Sequence, residues 1–222
     1  MNGRSPLPDI GLKFYNMPHI TQSQLTRAVQ ILKQGGVVLF PTETVYGLAA
    51  DATNRKALRR LRLLKGRARE KTFPLIVSSF AMAKRYAIFS PRLLALAKRY
   101  WPGALTIIAP VRPQSGLAPD VICHGTIAIR VSSHPVARSL SRRLNGPIIA
   151  TSANHSGDPC AYTTKEALAS LGKSVEILLD AGPLSKRASS TIIKEEDGKI
   201  TVLRRGSIKI PKWYVAESKK KL

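Results

Sequence analysis

The strongest constraint on the fold is an alternation, repeated along most of the chain, between stretches with helical spacing of apolar residues and short apolar runs. Thr21 and Gln24 have the spacing of a capping box, which predicts a helix that starts there. Gly35 and Gly36 end this helical stretch before the apolar run at residues 37–40. A short apolar run bounded by turn signals is typical of a buried strand, so the order is helix and then strand.

The same two patterns recur farther along the chain. Helices are predicted at residues 55–64, at 135–144 behind Ser133, and from Thr163, where Glu166 completes a second capping box. The short apolar runs predict further strands at residues 73–77, 104–109, 127–131, 147–150, 175–179, 190–193 and 200–203.

The order of these elements predicts the fold class. Alternating helices and strands favour an α/β domain, and a hairpin turn at residues 195–198 favours a sheet that mixes parallel and antiparallel strands. We expect one domain at residues 18–210, built on a twisted mixed sheet flanked by helices. A basic C-terminal tail is expected at residues 211–222, which include Lys219 to Lys221.

One predicted strand separates its residues clearly into two faces. Ile127, Ile129 and Val131 alternate with polar or small residues, so they share one side of the strand. Thr126, Ala128 and Arg130 share the other side. We expect the first face to pack in the core and the second to be available for binding.

Charge sets the class of partner. The 222 residues include 36 Lys and Arg against 13 Asp and Glu, which leaves a formal net charge of +23. This excess favours polyanions such as nucleic acids, nucleotides or anionic membranes, and it carries no information about the fold.

Cysteine usage and hydropathy favour a cytoplasmic protein. Cys123 and Cys160 form no CxxC motif and have no accompanying His pair, so they indicate neither a zinc module nor a disulfide scaffold. No apolar run approaches the ~20 residues of a membrane span, and residues 1–16 lack the apolar segment of a secretory signal. We therefore expect no membrane partner.

Three polar segments are candidates for a site: residues 41–48, 65–67 and 150–157. Lys65 and Arg67 are two apart where the chain leaves a helix, so in an extended stretch both cations project to one side and converge on one anion. Ser152 and Asn154 offer a hydroxyl and an amide that can donate to phosphate oxygens. Each segment also has an ordinary structural explanation. Residues 41–48 can be a plain connection, residues 65–67 a solvated charged stretch, and residues 150–157 an Asx or Ser turn.

Common catalytic and nucleotide-binding motifs are absent from the sequence. It contains no GxxxxGK[ST] or GxGxxG phosphate loop, no GxSxG elbow and no HExxH motif. An ATP site in this chain would therefore lie outside the commonest nucleotide-binding folds.

Seven sequence blocks together resemble one known family, the YrdC/Sua5 family of threonylcarbamoyl-AMP synthases. They occur in the family's order over roughly residues 25–208, and the Lys-x-Arg and Ser-x-Asn pair is the family's signature. The blocks are FPTETVYGLAADAT, LKGR, WPGALTIIAP, TIAIRVSSHP, IIATSANHSG, SSTII and VLRRG.

The resemblance implies a reaction and a set of partners. L-threonine, bicarbonate or CO₂, and ATP would give threonylcarbamoyl-AMP and pyrophosphate, with Mg²⁺ accompanying ATP and no organic cofactor. The product would serve the N6-threonylcarbamoyl modification of adenosine 37 in tRNA. A basic surface that contacts tRNA or double-stranded RNA, and the downstream transferase complex, are further expected partners.

The resemblance also assigns site residues. Lys65 and Arg67 would be catalytic, because they would neutralise the ATP phosphates and the charge that develops during transfer. Further contacts to ATP are implied for Lys71, Thr126, Ser152, Asn154 and Arg204. Contacts to threonine are implied for Thr44, Arg130 and Ser190.

Two departures and two alternatives accompany this assignment. Longer family members often have a His after a PLxV block, whereas Ser78 stands there in this chain, and little sequence remains beyond Gly206 for a second domain, which is typical of a short form. The alternatives are an RNA-binding module without catalysis and an enzyme that forms a carbamoyl adenylate. The segments that accompany the latter activity, an acylphosphatase domain and CxxC zinc motifs, are not found in this sequence.

Overall fold

The computed structural model describes residues 20–68, 72–172 and 175–214. The α-helices of this part are α1 (Gln22–Lys33), α2 (Arg55–Lys65), α3 (Phe80–Tyr86), α4 (Pro91–Tyr100), α5 (Pro135–Leu144) and α6 (Thr164–Leu171). The strands are β1 (Val38–Pro41), β2 (Tyr46–Ala49), β3 (Leu75–Val77), β4 (Leu105–Pro110), β5 (Thr126–Val131), β6 (Ile148–Ile149), β7 (Thr151–Ser152), β8 (Ile177–Leu178), β9 (Thr191–Glu196) and β10 (Lys199–Arg204). Short 3₁₀ helices lie at Pro119–Val121 and Lys212–Tyr214.

The strands form two mixed sheets. The smaller has the order β7-β2-β1-β8, and the larger has the order β10-β9-β4-β5-β3-β6. Parallel pairs occur in both sheets, β1 with β8 in the smaller and β3 with β5 and β4 with β9 in the larger, while the other pairs are antiparallel. The predicted α/β class with mixed strand pairing is confirmed, with the difference that the strands form two sheets and not one.

The two sheets meet at the segment around residue 150. The amide of Ile149 donates to the carbonyl of Ala50 at 2.8 Å, and Asp51 forms an isolated bridge with Ile148. The chain passes from β6 in the larger sheet directly into β7 in the smaller one. This crossing places Ser152 between the two ladders.

Helix ends largely follow the sequence signals. Both predicted capping boxes, at Thr21 and at Thr163, are present, and Gly66 ends α2 in the left-handed conformation with φ of 56°. Helix α5 begins at Pro135 as predicted, but its N-cap is His134, whose Nδ1 accepts from the amide of Val136 at 3.3 Å.

The core lies on both sides of the sheets. Helices α1 and α5 pack together over one face through the apolar residues Leu25, Ala28, Leu32, Val136, Ala137 and Leu140. On β5 the predicted faces are confirmed, since Ile127, Ile129 and Val131 are at most 2% exposed and belong to the larger apolar cluster. On the opposite face of β5, Ala128 and Arg130 line a cavity between the two sheets, whereas Thr126 does not.

The segment at residues 41–48, predicted to be a loop, is mostly a β-hairpin. β2 begins at Tyr46 and pairs antiparallel with β1, so only residues 42–45 connect the two strands. The prediction missed β2 because all four of its residues are buried and no alternation marks it. Gly47 is required here, because an added Cβ would lie 3.1 Å from the carbonyl oxygen of Thr151 on β7.

No helix in the described ranges is long and apolar enough to cross a membrane. Of the predicted basic tail at residues 211–222, residues 211–214 are described and include the 3₁₀ helix Lys212–Tyr214, whereas Lys219 to Lys221 lie outside the described residues.

Candidate active site

A cavity of about 340 Å³ opens where the two sheets meet. Both ladders contribute to its wall: the β1–β2 hairpin and β7 belong to the smaller sheet, and β3, β4, β5, β9 and β10 belong to the larger one. The polar residues that line it are Thr42, Thr44, Arg67, Thr72, Thr106, Arg130, Thr151, Ser152, Cys160, Ser189, Ser190 and Arg204. Apolar side chains, among them Ile76, Ile108 and Ile192, complete the wall.

Three arginines, Arg67, Arg130 and Arg204, line this cavity. Burial lowers the pKa of each guanidinium. The charge of Arg62 lowers the pKa of Arg67 further, and the charge of Arg130 lowers the pKa of Arg204 further. Arginine nevertheless stays protonated in proteins. The cavity is therefore strongly cationic and suited to an anionic ligand.

Arg67 is held by the chain that follows α2. Its Nη2 donates to the carbonyl of Thr72 at 2.8 Å, and its guanidinium lies 5.0 Å from the ring centroid of Phe73. A planar guanidinium stacked on a ring keeps its orientation, which prepares it for a phosphate or carboxylate.

Arg204 is held by Ser190 on the neighbouring segment. Its Nε donates to the carbonyl of Ser190 at 2.9 Å, and its Nη2 donates to the hydroxyl of the same residue at 2.8 Å. The Ser190 hydroxyl also lies 2.9 Å from the hydroxyl of Thr106 on β4. The three side chains form one polar wall of the cavity.

Arg130 enters the cavity from β5 and forms a buried ion pair. Its Nη1 lies 2.9 Å from Oε1 of Glu43, and the side chains are 8% and 11% exposed. The other carboxylate oxygen of Glu43 accepts a hydrogen bond from the hydroxyl of Ser132. Arg130 is thus held in place by the β1–β2 hairpin.

Threonine hydroxyls form hydrogen bonds within the turn that joins β1 and β2. The hydroxyls of Thr42 and Thr44 lie 3.0 Å apart, and the amides of Thr44 and Val45 donate to Oγ1 of Thr42 at 3.1 and 3.2 Å. These bonds fix the turn that carries Thr44 and Glu43.

Lys65 lies behind the cavity wall. It is 2% exposed, and its ammonium donates to the carbonyl oxygens of Ser152 at 2.6 Å and Asn154 at 2.5 Å. Burial, with the nearby charge of Arg67, lowers the pKa of Lys65 to about 8. Its position ties the end of α2 to the segment that contains β7.

Asn154 is 5% exposed and also holds this segment together. Its Oδ1 lies 3.4 Å from Nζ of Lys65, and its Nδ2 donates to the carbonyl of Asp158 at 2.6 Å. Ser152, two residues earlier, lines the cavity.

The structure brings most of the predicted site residues to one place. Six of them line the cavity: Thr44, Arg67, Arg130, Ser152, Ser190 and Arg204. Lys65 and Asn154 lie directly behind Ser152, whereas Thr126 lies outside the lining and donates its hydroxyl to the carbonyl of Cys123 at 2.8 Å. Lys71 falls outside the described residues.

Sequence reasoning missed several residues of the site. Thr106 had a detectable signal, because it and Ile108 share one face of a strand whose other face carries buried Leu105 and Ile107. Glu43 and Thr42 lie within a recognised block without an assigned role, and no local pattern marks Cys160.

The donor set does not suit a resident metal ion. Within the described part of the chain, no group of three or more His, Cys, Asp or Glu residues is placed to hold one. The charged groups that line the cavity are guanidiniums, which repel cations. A magnesium ion in this site would therefore enter with its phosphate ligands.

The comparisons with known proteins agree with this architecture. The family model Sua5_yciO_yrdC, described as telomere recombination, matches residues 30–206. Threonylcarbamoyl-AMP synthase of Bacillus subtilis is 37% identical over 189 residues, which cover 83% of this chain and 54% of that protein. The enzyme of the same name from Coxiella burnetii is 37% identical over 182 residues, which cover 81% of this chain and 95% of that protein.

A solved structure gives the same result. The crystal structure of P. abyssi Sua5 complexed with L-threonine superposes with a TM-score of 0.75 at 31% identity, over 84% of this chain and 55% of that one. This chain thus spans about half the length of the Bacillus and P. abyssi proteins and nearly all of the Coxiella protein. The family match and these identities show that the chain belongs to the Sua5/YciO/YrdC family.

Proposed function

We propose that this chain is a threonylcarbamoyl-AMP synthase, an enzyme that joins L-threonine, CO₂ or bicarbonate, and ATP. The observation that carries the proposal is the single cavity into which Arg67, Arg130 and Arg204 converge beside paired hydroxyls. The names of the family relatives point to the same reaction.

The chemistry requires such a cavity because it must bring two anions together. The amine of threonine loses a proton and adds to CO₂, which gives a carbamate. A carbamate oxygen then attacks the α-phosphorus of ATP, the bond to the β-phosphate oxygen breaks, and pyrophosphate leaves. Fixed guanidiniums and hydroxyls around both anions offset their repulsion and the charge that develops during transfer.

The positions of the described side chains support the following roles. Arg67 and Arg204 are proposed to hold the phosphates with Ser152, and Lys65 and Asn154 support Ser152 from behind. Lys65 and Asn154 stay proposed ATP contacts as well, as do Lys71 and Thr126. The threonine site is proposed at Arg130, Thr44 and Ser190, where a guanidinium can meet a carboxylate in a planar arrangement.

Magnesium is proposed to arrive with ATP. It would neutralise the leaving pyrophosphate, while the residues of this chain contribute orientation and positive charge. No organic cofactor is needed for the proposed steps.

The product is proposed to serve the N6-threonylcarbamoyl modification of tRNA through a downstream transferase, in the cytoplasm. A specific observation favours RNA contact as an additional activity: Arg55, Lys56, Arg59 and Arg60 are all exposed on α2. Binding of this kind depends on counterion release, so the affinity for tRNA or double-stranded RNA should fall steeply as salt concentration rises.

The test measures pyrophosphate release from ATP by the purified chain, with product identification by mass spectrometry. The proposal requires threonylcarbamoyl-AMP to form only when threonine and bicarbonate are both present. Pyrophosphate release that does not depend on threonine would contradict the proposal. Turnover with carbamoyl phosphate in place of threonine and bicarbonate would support formation of a carbamoyl adenylate instead.

A further inference from the structure

Glu43 occupies an unusual position for a carboxylate in this cationic site. It lies in the turn between β1 and β2, next to Thr42 and Thr44, both of which line the cavity, whereas Glu43 itself is not among the lining residues. There it is 11% exposed and pairs with Nη1 of Arg130. The carboxylate therefore holds a guanidinium that lines the cavity, without lining the cavity itself.

Both oxygens of Glu43 are engaged. Oε1 accepts from Arg130, and Oε2 accepts from the hydroxyl of Ser132, which itself accepts from the amide of His134 at 3.1 Å. Arg130 and Ser132 lie on either side of the end of β5, so Glu43 fixes this strand end against the hairpin. A buried carboxylate with both oxygens bonded to two different groups has little rotational freedom.

The pair determines how Arg130 can meet a ligand. A guanidinium has five N–H donors in a rigid plane, and the hydrogen bond from Nη1 to Oε1 of Glu43 restricts the direction of the remaining donors. Without Glu43, the buried guanidinium would lose its anionic partner and would be repelled by Arg204.

We propose that Glu43 is a positioning residue that aims Arg130 at the carboxylate of the amino-acid substrate and fixes Thr44 on the same site. The inference rests on the proposed function, because it takes the ligand of Arg130 to be the carboxylate of L-threonine. Glu43 acts through Arg130 and does not touch the reacting atoms.

The experiment compares Glu43→Ala and Glu43→Gln with the wild type in steady-state kinetics and in calorimetric titration with L-threonine. Glu43→Ala should raise the KM and the Kd for threonine at least about tenfold, because a displacement of the Arg130 guanidinium by about 1 Å is enough to weaken its contact with the substrate by this factor. Glu43→Gln retains an oxygen acceptor for Arg130 and should recover part of that loss. The KM for ATP should stay within about twofold in both variants, which a general loss of structure would not allow.

A double variant tests whether the effect passes through Arg130. If Glu43 acts by orienting Arg130, then Glu43→Ala should add little to the defect of Arg130→Ala, because the effects of substitutions at two contacting residues are not additive. Glu196→Gln is the matched control, since Glu196 lies in the exposed β9–β10 hairpin and pairs with Lys194. Thermal melting of each variant identifies any that do not fold, and the isosteric Glu43→Gln variant then carries the comparison.

The outcomes separate this inference from the proposed function. Unchanged or tighter threonine binding in Glu43→Ala, with an active wild type, would overturn the inference alone, because Glu43 would then be competing with the substrate for Arg130. A wild type that neither binds nor consumes threonine would overturn the proposed function and this inference together.

Discussion

The ammonium of Lys65 lies 2.5 Å from the main-chain carbonyl oxygen of Asn154, 89 residues farther along the chain. A second bond of 2.6 Å to the carbonyl of Ser152 makes the lysine a clamp on this segment. The Lys-x-Arg and Ser-x-Asn motifs are therefore joined through a lysine side chain and two backbone carbonyls. This clamp fixes Ser152 in the cavity wall beside Arg67.

Replacement of the clamp should impair catalysis. We expect Lys65→Met to lower kcat/KM for ATP about 100-fold, because Ser152 loses its support and a misplacement of about 1 Å is costly. Steady-state pyrophosphate release measures the effect. Lys56→Met is the matched control on the same helix, since Lys56 is exposed and should change kcat/KM by less than about threefold. Equal activities in the two variants would refute the clamp.

The stability contribution of Lys65 should depend on pH. Burial lowers its pKa to about 8 in the folded protein, whereas a lysine in the unfolded chain titrates near 10.5. Between these values the unfolded chain binds more protons, so the free energy of unfolding rises with pH. Chemical denaturation at pH 7.5 and 9.5 should therefore show the wild type gaining stability relative to Lys65→Met. A difference that stays constant or falls would contradict the lowered pKa.

Arg67 should act on ATP with little effect on folding. We expect Arg67→Gln to raise the KM for ATP or lower kcat by about 100-fold in total, because a fixed donor to developing negative charge is lost. Arg62→Gln is a close control, since the guanidinium of Arg62 lies 5.2 Å from the centroid of the same Phe73 ring but does not line the cavity. If both variants are equally impaired in ATP use, the stack on Phe73 matters and the cavity position does not.

Cys160 provides a probe of cavity occupancy. It is exposed and lines the cavity, whereas Cys123 does not. In a Cys123→Ser background, we expect ATP with threonine to slow alkylation of Cys160 about tenfold, because bound substrates cover the wall. Mass spectrometry of the labelled protein follows the rate. An alkylation rate that substrates leave unchanged would place them elsewhere.

Local sequence patterns were sufficient to predict strand β5 and the starts of helices α1 and α6. The alternation in β5 predicted that Ile127 and Ile129 lie on the core face and that Arg130 lies on the other face, where it lines the cavity, because a period of two fixes side-chain direction. Capping boxes at Thr21 and Thr163 likewise depend on residues three apart.

Long-range contacts explain what sequence reasoning missed. β7 consists of two residues and exists only because β2 lies beside it, and β2 is buried throughout, so neither carries a periodic signal. The partners of Lys65 and of Glu43 are 87 or more residues away in sequence. Sequence patterns therefore could not reveal that Lys65 bonds to the carbonyls of Ser152 and Asn154 or that Glu43 pairs with Arg130. The assignment of Lys65 to the ATP phosphates stays a prediction.

A crystal structure with L-threonine and a non-hydrolysable ATP analogue tests whether one cavity holds both anions. We expect the amino-acid carboxylate to lie on Arg130 and the phosphates to lie beside Arg67, both within the space between the two sheets. A structure in which either ligand binds outside that space would contradict it.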